Sequence, residues 1–323
     1  MLDPLIAASF ILAFYVAWSI GANDETMAVA VGSGFSNILF AVAIGAAMDF
    51  LGAVFMSEKV EYTLGRGFLT FKPGVHEAFI ITAAMATWLI LASYKGWPIS
   101  TTHSVVGAEI GLALYKAGIE GVKWSSLASV AMVWAMSPLL GMTGSYVACK
   151  LLDMVARAKL KNLGAVLGAA KASSLFVLAC AAITSFSRGG NDVANTTAFL
   201  VLVYPNPFTV RLIGGIGMAL GLLTLGRRVV KNVGDGLVEI TPLTGLAIQI
   251  SVAVILFTGT LMGLPLSGTH ILVGAVAGIG LARRAWMNRQ GLGEIAVTWI
   301  ITFPGAAIMA AALALLMSSL GLL

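Results

Sequence analysis

Gly21-Ala22-Asn23-Asp24 and Gly189-Gly190-Asn191-Asp192 carry one polar signature twice, 168 positions apart, each inside an apolar stretch. A carboxylate at membrane depth costs roughly 3 kcal/mol or more, so an Asp that persists there marks a functional site. Two of them in the same local context mark a duplicated half. Two further blocks repeat at nearly the same offset. Glu58-Lys59-Val60 through Leu64-Gly65-Arg66-Gly67 matches Arg227-Arg228-Val229 through Val233-Gly234-Asp235-Gly236 at 169, and Pro98-Ile99-Ser100-Thr101-Thr102-His103 matches Pro265-Leu266-Ser267-Gly268-Thr269-His270 at 167. Three blocks at near-constant spacing define an internal repeat, which has to be settled before any fold is assigned.

The chain around these blocks is 59% hydrophobic and only 10% charged, with a mean hydropathy of +0.96. Soluble domains carry about a quarter charged residues, so this chain can bury its apolar surface only in lipid. Continuous apolar runs, rather than alternating ones, point to helices that satisfy their own backbone and not to a barrel. The fold class is an all-α polytopic membrane protein. A crossing needs about 20 residues, and with broken helices counted the chain holds about 10–12 membrane segments. Five runs fall in the first half, at 4–34, 37–57, 77–94, 98–116 and 124–149. Five fall in the second, at 173–203, 208–226, 242–262, 265–282 and 294–322. The first run is too long for one span, and its Gly21-Ala22-Asn23-Asp24 invites a break into two half-helices. The domains are then a first membrane repeat at 1–149, a basic cytoplasmic connector at 150–172 and a second repeat at 173–323.

An odd number of crossings per half turns the second copy upside down, and charge placement supports this. With the connector inside the cell, Lys95, five connector bases, Arg227, Arg228, Lys231, Arg283, Arg284 and Arg289 all fall inside. Only Lys59, Arg66, Lys72, Lys116 and Lys123 fall outside, the bias expected of cytoplasmic loops. Both termini come out external. A re-entrant hairpin at 98–116 is the alternative that would change the parity. The N-terminus has no basic region before its apolar run, so no cleaved signal peptide is expected. Cys149 and Cys180 have neither a disulfide framework nor metal-ligand spacing.

Inverted repeats with broken helices are the build of secondary transporters, with the site near the midplane. Asn23, Asp24, Asn191 and Asp192 offer hard oxygen ligands for a small cation, and backbone carbonyls at Ala22 and Gly190 can complete the shell. Arg188, beside Gly189, offers a competing ion pair for Asp192. Ser100-Thr101-Thr102 and Ser267-Gly268-Thr269 read as helix starts behind a proline. A helix N-terminus binds anions through free N–H groups and its dipole, so two of them make a cradle for a tetrahedral oxyanion. His103 and His270 are each expected to hydrogen-bond within their own helix turn, since no spacing supports a built-in metal. Asp49 is a further buried acid and a possible coupling group, with Gln249 at a comparable depth in the second half. An oxyanion beside two carboxylates is repelled by about 4 kcal/mol per close pair at an effective dielectric near 20. Cations must therefore load with the anion, which couples the two thermodynamically. That is symport.

These residues resemble the inorganic phosphate transporters of the PiT family, whose duplicated Gly-Ala-Asn-Asp-Val-Ala-Asn signature is similar to Gly21-Ala22-Asn23-Asp24 and Gly190-Asn191-Asp192-Val193-Ala194-Asn195. Pro98-Ile99-Ser100-Thr101-Thr102-His103 and Gly226-Arg227-Arg228-Val229 also look like that family's motifs. The resemblance implies inward phosphate transport coupled to sodium or protons, inverted repeats, a homodimer in the cell membrane and external termini. It implies phosphate at Ser100, Thr101, Thr102, Ser267, Gly268 and Thr269, and cations at the Asn-Asp pairs. The chain departs from the pattern where Glu25-Thr26-Met27 replaces Val-Ala-Asn, where Gly268 stands for Thr, where Asp49 stands for the family's frequent Glu, and where Gln249 stands for the second Glu of some members. Sodium is the preferred ion, because an Asn-Asp pair supplies an oxygen cage that a proton does not need. Proton-coupled phosphate or metal-phosphate transport and the transport of another oxyanion such as sulfate are the alternatives. A channel would need a filter lined by paired carboxylates. An embedded hydrolase is not expected, because no acid is placed to orient His270 toward Ser267. Neither a cofactor nor a nucleic-acid partner is expected.

Overall fold

A computed structural model of the chain describes residues 3–24, 26–32, 37–95, 97, 99–159, 161–226, 241–285 and 289–323. Glu25, Pro98 and the 227–236 block used above lie outside the described residues. Those described are almost entirely helical: α1 (Pro4–Ala22), α2 (Ala28–Gly32), α3 (Ile38–Met56), α4 (Glu58–Gly67), α5 (Val75–Lys95), α6 (Thr101–Ala117), α7 (Trp124–Lys159), α8 (Leu163–Thr197), α9 (Leu200–Val203), α10 (Pro207–Gly221), α11 (Pro242–Leu261), α12 (Gly268–Arg283) and α13 (Arg289–Ser319). One isolated bridge, Leu69 to Val122, is the extent of β pairing among them.

Local chemistry sets these boundaries. Asp3 caps α1 by accepting from the Leu5 N–H at 2.8 Å, and Pro4 occupies the first turn, where its missing N–H costs nothing. The helix stops where expected. The amide of Asn23 turns back to donate to the Ser19 carbonyl at 2.9 Å, and the chain re-enters helix only at Ala28. Among the described residues, eight helices are long and apolar enough to cross a membrane. The two Ser-capped helices are shorter, 17 residues in α6 and 16 in α12. At 1.5 Å per residue they reach about 25 Å, short of a hydrocarbon core of about 30 Å. Large apolar side chains such as Ile11, Phe55 and Ile300 point outward, while Asp24, Asp49, Glu109 and Asp192 are buried. That is the distribution of a bundle solvated by lipid.

The repeat is visible in how the helices pack. A Cβ at Gly21 would collide with the Met218 carbonyl, and one at Gly189 with the Asp49 carbonyl. Likewise Gly221 abuts the carbonyl of Trp18, and Gly52 that of Phe186. Each pair maps onto its counterpart at an offset of 168 or 169. The first helix of each half therefore packs on the second helix of the other: α1 on α10, and α8 on α3. A second exchange runs between α6 and α13 through Gly107 and Phe303, matched by α12 and α7 through Gly274 and Pro138. In lipid no hydrophobic force drives helices together, and small residues that admit a backbone supply the contact.

This changes the reading of the signature glycines. Gly189 and Gly190 do not loosen their helix, since α8 runs unbroken from Leu163 to Thr197. They are small because α3 needs the space. The residues assigned to the connector are helical as well, to Lys159 in α7 and from Leu163 in α8.

Candidate functional site

Ser100 and Ser267 do what their positions predict. Each side chain accepts from an N–H three residues on, at His103 (3.3 Å) and His270 (3.4 Å), capping α6 and α12. The two helix starts meet. The Thr102 hydroxyl donates to the Leu266 carbonyl at 2.9 Å, fastening the first turn of α6 to the residue before the cap of α12. Thr101 and Thr269, equivalent within a residue of the repeat, are both partly exposed, whereas Thr102 is buried.

Two asparagines of the second signature hold this cradle in place. Asn191 donates to the Leu264 carbonyl (2.8 Å) and the Thr260 hydroxyl (3.2 Å), and accepts from the Leu266 N–H (3.1 Å). It works as a clamp on the segment leading into α12. Asn195 donates to the hydroxyls of Thr101 (3.3 Å) and Thr102 (3.4 Å), while its own carbonyl oxygen is buried with no donor.

The acids converge on one cation. Arg188, 7% exposed, donates through Nε to Asp192 Oδ2 at 2.8 Å and through Nη1 to Asp24 Oδ1 at 2.9 Å and the Thr26 hydroxyl at 3.2 Å. Asp24 Oδ1 also accepts from the Thr26 N–H at 2.7 Å, whereas its Oδ2 is buried with no donor. Gln249 steadies the broken segment by donating to the Thr26 carbonyl at 2.9 Å, and accepts from Thr184. Asp49 faces Asp24, Asp192 and Arg188 from α3, fully buried, and neither of its oxygens receives a hydrogen bond. Buried acceptors without donors cost free energy until a proton or cation reaches them.

Several candidates stand differently from their expected roles. Asn23 is exposed and folded onto its own helix, so the two asparagines of the repeat occupy unlike surroundings. Ala22 ends α1, where carbonyls leave the helical ladder, but Gly190 lies within α8 and offers no unwound carbonyl. The backbone N–H groups of His103 and His270 bond within their own turns, to the Ser caps, but their rings face each other instead. Their rings lie tilted at 35° to each other with 4.9 Å between centroids, flanked by Trp134 (4.0 Å from His103) and Trp299 (3.6 Å from His270). Pro138 has no N–H to offer the Trp134 carbonyl, and His270 Nδ1 lies 3.5 Å from that oxygen. Sequence reasoning passed over Thr26, Asn195, Glu109 and the bridge from Arg188 to Asp24. Only the i,i+4 spacing of Arg188 to Asp192 gave a signal.

The profile of the phosphate transporter family matches residues 20–310. A putative phosphate permease of Pyrococcus horikoshii is 28% identical over 96% of this chain and 97% of its own length. The chloroplastic inorganic phosphate transporter 2-1 of Arabidopsis thaliana is 30% identical over 94% of this chain and 70% of its own. Among solved structures, one titled as the sodium-dependent phosphate transporter superposes with a TM-score of 0.85 at 28% identity, covering 98% of this chain and 99% of that one. A multi-pass helical bundle whose paired helix starts lie beside buried acids is a membrane transporter, not an enzyme. The chain belongs to the phosphate transporter family.

Proposed function

We propose that this chain imports inorganic phosphate by symport with sodium, through alternating access of one central pocket. One observation carries the reading: the starts of α6 and α12 are fastened together at Thr102 and Leu266, beside a cluster of buried carboxylates. In this reading Ser100, Thr101, Thr102, Ser267, Gly268 and Thr269 present hydroxyls and helix-terminal N–H groups to phosphate. Asp24, Asp192 and Asp49, with the Ala22 carbonyl, hold the cations, and the donor-less oxygens of Asp24 and Asp49 are the places for them. Asn191 supports the cradle. The halves 1–149 and 173–323 rock against each other as an inverted pair about the 150–172 connector, within a homodimer in the cell membrane whose termini face outward. The matched glycine contacts support the pairing of the two halves, and the sodium dependence stated for the superposed transporter supports the choice of ion.

Uptake of labelled phosphate into proteoliposomes, driven by an imposed sodium gradient, tests the reading. Concentrative uptake is expected, with little competition from excess sulfate and loss of uptake in Asp24→Asn and Asp192→Asn. Equal competition by sulfate overturns the phosphate assignment. Normal uptake in both variants overturns the site. Proton coupling is the second reading, favoured by Asp49, whose two donor-less oxygens suit a neutral acid. Uptake driven by a pH gradient without sodium selects it.

A further inference from the structure

The repeat supplies its own comparison for Arg188 and Gly268. At an offset of 168 the first half carries Ile20 where the second has Arg188, and at 167 it carries Thr101 where the second has Gly268. Both exchanges occur at one point in space. A Cβ on Gly268 would stand 3.3 Å from Arg188 Nε, 3.5 Å from its Cδ and 3.6 Å from its Cζ, tight enough that the guanidinium would have to yield. The missing side chain at the start of α12 makes room for the long one from α8. Arg188 is fixed to an unbroken stretch of helix and buried, so its charge stays in the site. It divides two donors between Asp192 and Asp24, the carboxylates that would otherwise need mobile cations.

Resting on the sodium-symport reading above, we propose that Arg188 is a tethered counter-cation: its guanidinium fills one cation place between Asp24 and Asp192, so this chain loads phosphate with one fewer mobile sodium ion than its acids call for. Gly268 is the residue that admits it. The place left for a mobile ion is on the far side of Asp24, at Oδ2, toward Asp49. Because the guanidinium also borders the first turn of α12, it links the anion cradle to the acids. The planar, permanently charged fork of Arg suits this position, where its donors are shared among several oxygens.

The test is the linkage between phosphate and sodium in the purified full-length protein. The slope of log Kd for phosphate against log sodium concentration counts the sodium ions taken up with it. In Arg188→Gln the slope is expected to steepen by about one, a further tenfold change in Kd for each tenfold change in sodium. Gly268→Thr, whose side chain crowds the guanidinium, is expected to shift the slope in the same direction, and Arg188→Lys to keep the wild-type slope. Equal sodium-dependent slopes in wild type and Arg188→Gln overturn the proposal and leave sodium symport standing. A sodium-independent wild type with a slope in Arg188→Gln supports the tethered cation and removes sodium symport. No slope in either protein removes both. If Arg188→Gln binds phosphate too weakly to titrate, its unfolding temperature in sodium without phosphate decides. It should rise with sodium more steeply than that of wild type, and a parallel rise overturns the proposal.

Discussion

Asn191 grips the segment that leads into α12 at three points, through Thr260, Leu264 and the Leu266 N–H, all within 3.2 Å. Its side chain is thus a fixed strut of the anion cradle. Asn191→Asp removes both N–H donors and sets a carboxylate against a carbonyl oxygen. Charged groups buried without partners are costly, so a loss of about 3 kcal/mol is expected. Phosphate uptake should be abolished and the unfolding temperature lowered. An Asn191→Asp protein with wild-type stability and altered sodium affinity alone would make Asn191 a cation ligand instead.

Thr102→Val keeps the shape of the side chain and removes the donor to the Leu266 carbonyl. Leaving that buried oxygen unpaired costs about 1–3 kcal/mol, because desolvation is not compensated. Phosphate affinity should fall at least tenfold, while Thr102→Ser, which retains the hydroxyl, should bind nearly as wild type. Isothermal titration of the three proteins checks this.

Asp49 has no donor for either oxygen, so its role is visible only with an ion or proton in place. Asp49→Asn should retain exchange of internal for external phosphate and lose accumulation against a gradient. Proteoliposomes loaded with unlabelled phosphate measure exchange, and empty ones measure accumulation. Wild-type accumulation in the variant removes Asp49 from the coupling set.

Gly52→Ala places a Cβ against the Phe186 carbonyl, in the contact between α3 and α8. Overpacking of this kind costs about 1–3 kcal/mol or more, since neither backbone can yield easily. A matched control exists within the same helix pair. A Cβ on Gly168, also helical, meets nothing within 4 Å, so Gly168→Ala should be neutral or raise stability by about 0.5–1 kcal/mol. Unfolding temperatures in detergent should separate the two, with Gly52→Ala below wild type and Gly168→Ala at or above it.

Much of this architecture is written locally. Ser100 and Ser267 announce helix starts, and each accepts the cap hydrogen bond its position calls for. Asn23 marks a break that the chain makes. What escaped sequence reading depends on residues far apart. Arg188 reaches Asp24 across 164 positions, and no local spacing points there. Gly189 and Gly190 are small for the sake of Asp49 and Met56 on another helix, a demand that looks in sequence like helix weakness. The histidines looked like ordinary helix residues because the contact of His103 with His270 exists only once the two halves are together.

The exchange of helices between the halves also sets a schedule for synthesis. Gly107 in α6 finds its backbone partner at Phe303, 196 residues later in the chain. At about 5–20 residues per second, that partner leaves the ribosome some 10–40 s afterwards. Until then α6 sits in the bilayer with its Gly107 and Gly111 face uncovered. Membrane insertion of this chain is thus a staged process, in which α3 waits for α8, α1 for α10 and α6 for α13, and the insertion machinery must keep each early helix from wrong neighbours for its own interval.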